Sequence, residues 1–107
     1  MNAEARQALA RLASELRRLY GPRFRELRVF GSCARGEEHA ESDIDTALAL
    51  SDLTSVWGEI TRSGEAVARV CLDHDLVISL IPIREADLAE GKTAFARSIQ
   101  REGIPVG

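Results

Sequence analysis

Cysteine is scarce in this chain. Cys33 and Cys71 are too few for a disulfide-built scaffold or a four-cysteine zinc site, and both read as free thiols. There is no apolar run near the roughly 20 residues that cross a bilayer. The first residues, Met1-Asn2-Ala3-Glu4-Ala5-Arg6, bring a carboxylate where a secretory signal needs an apolar stretch. A soluble, cytoplasmic protein without a membrane partner is expected. Internal repeats, linkers and low-complexity tracts are missing too. A length of 107 residues suits one core and leaves no room for a separate substrate domain, so residues 1–107 read as a single domain. A concentrated Lys/Arg tract is also absent and the formal charge is −3, which argues against strong nonspecific nucleic-acid binding, since that rests on phosphate neutralisation.

The charge is unevenly spread. Residues 1–36 hold eight Arg against three Glu, and the remainder holds six basic against fourteen acidic groups. The plain reading is a solvated helix face; the alternative is a docking surface for a partner of complementary charge.

Leu9, Leu12, Leu16 and Leu19 recur at helical spacing, and Gly21-Pro22 ends that helix. Leu27–Phe30 reads as a strand entering Gly31. From Asp43 to Leu50, one parity holds Asp43, Asp45, Ala47 and Ala49, and the other Ile44, Thr46, Leu48 and Leu50, the pattern of a second strand with its small and acidic residues on one face. Val56, Trp57, Ile60, Val67 and Val70 indicate a helix over roughly 54–72, with Trp57 in the core rather than stacking on a base. Leu76–Ile81 is a third strand, which Pro82 bars from continuing as a central one. The tail reads as a short helix around Arg84–Glu90, a break at Gly91, and a helix around Thr93–Arg101 with Gly103 as a left-handed cap. The order α-β-β-α-β-α-α gives an α/β (α+β) domain: a small mixed sheet flanked by helices.

The chemistry concentrates in Phe30-Gly31-Ser32-Cys33-Ala34-Arg35-Gly36, Glu37 to Glu41, and Ser42-Asp43-Ile44-Asp45. A glycine directly after a strand lets a ligand approach the backbone, and the following serine offers an N–H and a hydroxyl to a phosphate. A helix starting at Ser32 would add its dipole. Asp43 and Asp45 project from one face about 6–7 Å apart, close enough to share a hard cation such as Mg²⁺. Each element alone is commonplace, and Asp73-His74-Asp75 is another acidic triplet. Their pairing on neighbouring strands, with ten residues between Ser32 and Asp43, describes a triphosphate and its metal.

In these residues the sequence resembles the minimal members of the polymerase-β nucleotidyltransferase superfamily. Gly31, Ser32, Ala34, Arg35, Gly36, Ser42, Asp43, Ile44 and Asp45 stand where the family pattern wants them, and the ending Phe95…Arg101-Glu102-Gly103-Ile104 is similar to that of small bacterial relatives. The resemblance implies a polymerase-β-like core and nucleotidyl transfer with two Mg²⁺ ions. Gly31 and Ser32 would hold the β- and γ-phosphates, with Arg35 bracing the turn, and Asp43 and Asp45 would bind the metals. It further implies a third carboxylate on the following strand, for which Asp75 is best placed and Asp73 second. ATP is the implied substrate. A small helical HEPN-domain RNase is the implied partner, because similar minimal proteins accompany such RNases as antitoxins; an oligomer is left open.

Other signals lead elsewhere and fail. Gly91-Lys92-Thr93 lacks the earlier glycine of a P-loop, where Ala86 stands. Ser32 has no triad base, and His39 and His74 read as surface residues. Two functions therefore stand: an enzyme that moves AMP from ATP onto a partner hydroxyl, and a weakly active or inactive antitoxin-like protein that acts by contact.

Overall fold

The computed structural model describes residues 1–36 and 43–106; the expectations for Glu37 to Glu41, including His39, and for Ser42 lie outside the described residues. Helix α1 spans Ala3–Tyr20, capped by the Asn2 side chain, which accepts from the Ala5 N–H at 2.8 Å. Gly21, at φ 57°, ends it, and a short 3₁₀ turn leads into β1, Phe24–Phe30. Then follow β2 (Ile44–Leu50), α2 (Val56–His74), β3 (Ile78–Arg84), α3 (Glu85–Glu90), α4 (Ala94–Glu102) and β4 (Ile104–Pro105). The four strands lie in the order β3-β2-β1-β4. β2 and β3 are parallel, joined by the α2 crossover that parallel pairing requires, and the other pairs are antiparallel. The expected mixed sheet flanked by helices is the architecture found. Among the described residues no helix is long and apolar enough to cross a membrane.

The alternation along β2 assigns its two faces. Ile44, Leu48 and Leu50 join Leu27, Val29, Ile78 and Leu80 beneath Leu9, Leu12 and Leu16 of α1 and Val70 of α2. Ala47 and Ala49 belong to a smaller cluster with Ile83, Leu88 of α3, and Ala96 and Ile99 of α4. On that second face Phe30 meets Phe95 edge-on at 5.4 Å. Asp43 and Asp45 share the parity of the alanines. Ala47 and Ala49 are buried, Asp45 is half-buried and Asp43 exposed, so this face opens toward the start of the strand.

Several sequence expectations change. Trp57 is 75% exposed, because the buried stripe of α2 is Glu59, Ser63, Ala66 and Val70, and of the apolar residues that suggested a stripe only Val70 lies on it. β3 starts at Ile78 and runs through Pro82 to Arg84; it is an edge strand, where a missing N–H costs no ladder bond. Gly103 has φ −67°, so it is no left-handed cap. A Cβ there would lie 2.5 Å from the Ile99 carbonyl oxygen, and that close approach is what glycine permits. In this tail the left-handed cap is Gly91, at the end of α3. β4 was not foreseen; its two residues pair with Arg28 and Val29.

The uneven charge is matched inside the chain only in part, and ion pairs between the two parts run in both directions. Arg11 of α1 meets Asp73 at 2.7 Å, Arg69 of α2 meets Glu15 at 2.8 Å, and His74 meets Glu4 at 2.8 Å. Residues from the arginine-rich and acidic parts thus tie α1 to α2.

Candidate active site

The site forms where β1 ends and β2 begins. Phe30 is paired in register with Asp45, so the turn that leaves β1 rises beside that carboxylate. Residues 31–36 make a single tight turn. The Arg35 N–H donates to the Gly31 carbonyl at 3.2 Å, and the Gly36 N–H to that of Cys33 at 3.2 Å. Gly31 and Gly36 both take φ 74°, a backbone conformation that favours glycine. No helix starts at Ser32: this is one turn, and its contribution is local N–H groups rather than a helix dipole. Buried Cys33, with Ala34 packed beside it, anchors the turn in the main core, leaving Ser32 half-buried. Arg35 reaches Glu102 at the end of α4 at 3.2 Å, which ties the turn to the second helical layer.

Gly31 does more than bend the chain. A Cβ at this position would stand 2.7 Å from Asp45 Oδ2, so the missing side chain keeps open the space between the turn's backbone and the carboxylate. The other oxygen, Oδ1, accepts a hydrogen bond from the Ser79 hydroxyl at 2.9 Å. Ser79 lies on β3 in register with Asp45, and buried Thr46 holds that register by donating its hydroxyl to the Ser79 carbonyl at 2.8 Å. Asp43 sits one residue before β2, whose ladder to β3 begins with the Ile44 N–H on the Val77 carbonyl at 2.9 Å.

The structure thus brings together Gly31, Asp45 and Ser79, with Ser32 and Asp43 next in sequence. It does not bring Asp75 to them. Asp75 is the exposed, left-handed cap of α2 at φ 53°, with its N–H on the Cys71 carbonyl, and it precedes the strand instead of lying within it. Asp73, the second choice, is engaged by Arg11. The position beside Asp45 that a third carboxylate was expected to fill belongs to Ser79. Its signal in the sequence is that it is the one polar residue in the apolar run Leu76–Ile81.

Two carboxylates beside open backbone are hard oxygen donors of the kind Mg²⁺ takes, and among the described residues no ion pair neutralises Asp43 or Asp45. The donors fit a metal-bound phosphate group. Among the described residues no three His, Cys, Asp or Glu gather into a cluster for an ion.

Comparison with known proteins bears on the same architecture. The fold is similar to that of a candidate minimal nucleotidyltransferase (TM-score 0.64, 21% identity, 99% of this chain and 97% of the other). It is also similar to a toxin–antitoxin crystal structure with AMP-PNP (TM-score 0.60, 21% identity, 90% and 70%). A third likeness is to a candidate nucleotidyltransferase from Sulfolobus solfataricus (TM-score 0.56, 15% identity, 98% and 87%). No curated protein sequence matches the chain. The family model of the nucleotidyltransferase domain matches residues 9–101, nearly the whole chain including the turn and both aspartates, and the protein belongs to that family.

Proposed function

We propose that the chain binds a magnesium nucleoside triphosphate, ATP, between Gly31-Ser32 and Asp43/Asp45, and transfers AMP to a hydroxyl of a partner protein. The observation that carries this reading is the meeting of the Gly31 turn and the Asp45 carboxylate across a gap that a single Cβ would fill. Gly31 and Ser32 offer backbone N–H groups and a hydroxyl to the β- and γ-phosphates. Asp43 and Asp45 hold the cation, which when bound neutralises the triphosphate and stabilises the leaving pyrophosphate. Arg35, engaged with Glu102, braces the turn. In the transfer, the acceptor oxygen bonds to the α-phosphorus as the bond to the bridging oxygen breaks. Pyrophosphate leaves with the electrons of the broken bond, and the acceptor's proton passes to solvent.

The partner in this reading is a small helical HEPN-type RNase, and the protein acts as its antitoxin. The toxin–antitoxin structures of similar fold, one with AMP-PNP and one named MntA-HepT, support a nucleotide and a partner protein. AMP on a tyrosine or serine near the RNase site would add bulk and negative charge where RNA phosphates bind. A second reading, inhibition by complex formation without transfer, is favoured by Ser79, a neutral group where a third carboxylate would help to deprotonate the acceptor. Incubating the purified pair with ATP and Mg²⁺ and measuring the partner's intact mass separates the two. Transfer predicts an increment of one or more AMP units that vanishes with Asp43→Asn. A tight complex with unmodified mass and suppressed RNase activity supports the second reading.

A further inference from the structure

The register between β2 and β3 determines more than the absence of a carboxylate. Asp45 and Ser79 are directly opposed on parallel strands, and their side chains meet. The Ser79 hydroxyl donates a hydrogen bond to Asp45 Oδ1, so that oxygen faces β3 while Oδ2 faces the Gly31 turn. A carboxylate that bridges two cations must offer one oxygen to each. Here Oδ1 accepts from a hydroxyl and faces β3, where the group opposite it is neutral. Two dications a few ångströms apart repel four times as strongly as two unit charges at the same distance, so a second ion needs further negative charge close by. Ser79 supplies none. Among the described residues before β3, Asp75 is an exposed helix cap that precedes the strand, and the Asp73 carboxylate is paired with Arg11.

We propose that Ser79 occupies the third-ligand position as a positioning residue for Asp45, and that the site takes a single divalent cation, the one carried by the triphosphate. This rests on the nucleotide site proposed above and deepens it. The hydroxyl holds the Asp45 carboxylate with Oδ2 toward the turn, which presets one ligand for an incoming metal–triphosphate complex. Hydrogen bonds that orient a ligating carboxylate matter for affinity, so Ser79→Ala weakens binding of that complex about tenfold.

The test counts ions with Mn²⁺ and a non-hydrolysable adenosine triphosphate analogue. Calorimetry establishes that the complex forms, and electron paramagnetic resonance of free Mn²⁺ gives the number bound with and without protein. For the wild type the protein adds no ion beyond the one the analogue carries. Ser79→Asp adds one, and the uncharged Ser79→Asn adds none. Circular dichroism and thermal melting confirm that each variant is folded, and the tenfold loss in Ser79→Ala gives a second readout if the aspartate variant does not fold. A second ion in the wild-type complex overturns the inference and leaves the nucleotide site standing, as does unchanged affinity in Ser79→Ala. Failure of the analogue to bind wild type at all overturns both.

Discussion

Acidic pairs lie at both ends of the β1–β2 hairpin, Asp52 with Glu59 of α2 at one and Asp43 with Asp45 at the other, and they are treated in opposite ways. Where β1 begins and β2 finishes, Arg23 reaches Glu59 at 2.7 Å and Asp52 at 2.8 Å and lies over the Tyr20 ring at 5.4 Å. Burial of Glu59 by itself would push its carboxyl up, but the Arg23 hydrogen bond, helped by Tyr20, holds it below the ordinary glutamate value. Tyr20 responds in turn: burial, then the neighbouring Glu59, pushes its hydroxyl up to about 12. At the other end, Asp43 and Asp45 have no cationic partner among the described residues, and Asp45 is met by the neutral hydroxyl of Ser79. One end neutralises its charge within the protein and serves stability. The other leaves its charge for a ligand.

The most disruptive change should be at the neutralised end. Arg23→Met leaves buried Glu59 without its main partner and should cost about 2–3 kcal/mol in a denaturant melt, less than a fully buried pair because Arg23 is partly exposed. The pH dependence has a definite sign. A folded-state carboxyl held low contributes stability above its unfolded value and loses it as pH falls through the folded one. The gap between wild type and Arg23→Met should therefore be full at neutral pH and close in acid, below the ordinary glutamate range. A gap independent of pH would mean that Arg23 acts by packing alone.

Gly31→Ala tests the open end. The positive φ costs about 1 kcal/mol of stability. The new Cβ must also displace Asp45 Oδ2, so Mg²⁺-dependent ATP affinity should fall by more than the stability change accounts for. Equal losses would show that the turn is merely structural. Asp75→Gly should have the smallest effect. A glycine suits the left-handed cap and should stabilise the fold by about 0.5 kcal/mol, with Mg²⁺–ATP binding unchanged. Lost binding would restore Asp75 to the metal site.

Much of the site is legible in the sequence because its signals are local. A glycine after a strand and two aspartates of one parity need only neighbouring residues to be understood, and the alanines that follow mark the face they share. The third position is different. It depends on how β3 is registered against β2 across the whole of α2, and a residue that caps a helix looks, in sequence, like one that begins a strand; that is why Asp75 stood in for Ser79. The exposure of Trp57 was hidden for a related reason. Glu59 and Ser63 lie in the buried stripe of α2, made tolerable by Arg23 and by a hydroxyl bond to the Glu59 carbonyl at 2.8 Å, so polar residues hold places that periodicity assigns to apolar ones. β4, with only two residues, has no period to read.

The central claim is that the un-neutralised end awaits a metal-bound triphosphate, and calorimetric titration of ATP with Mg²⁺ tests it most directly. Wild type should bind. Asp43→Asn and Asp45→Asn should each weaken binding by about a hundredfold, since each loses a charged ligand to the cation, while melting within about 0.5 kcal/mol of wild type because no ion pair is broken. Ser32→Ala should lose less, because its backbone N–H remains. Unchanged ATP affinity in both aspartate variants would contradict the account.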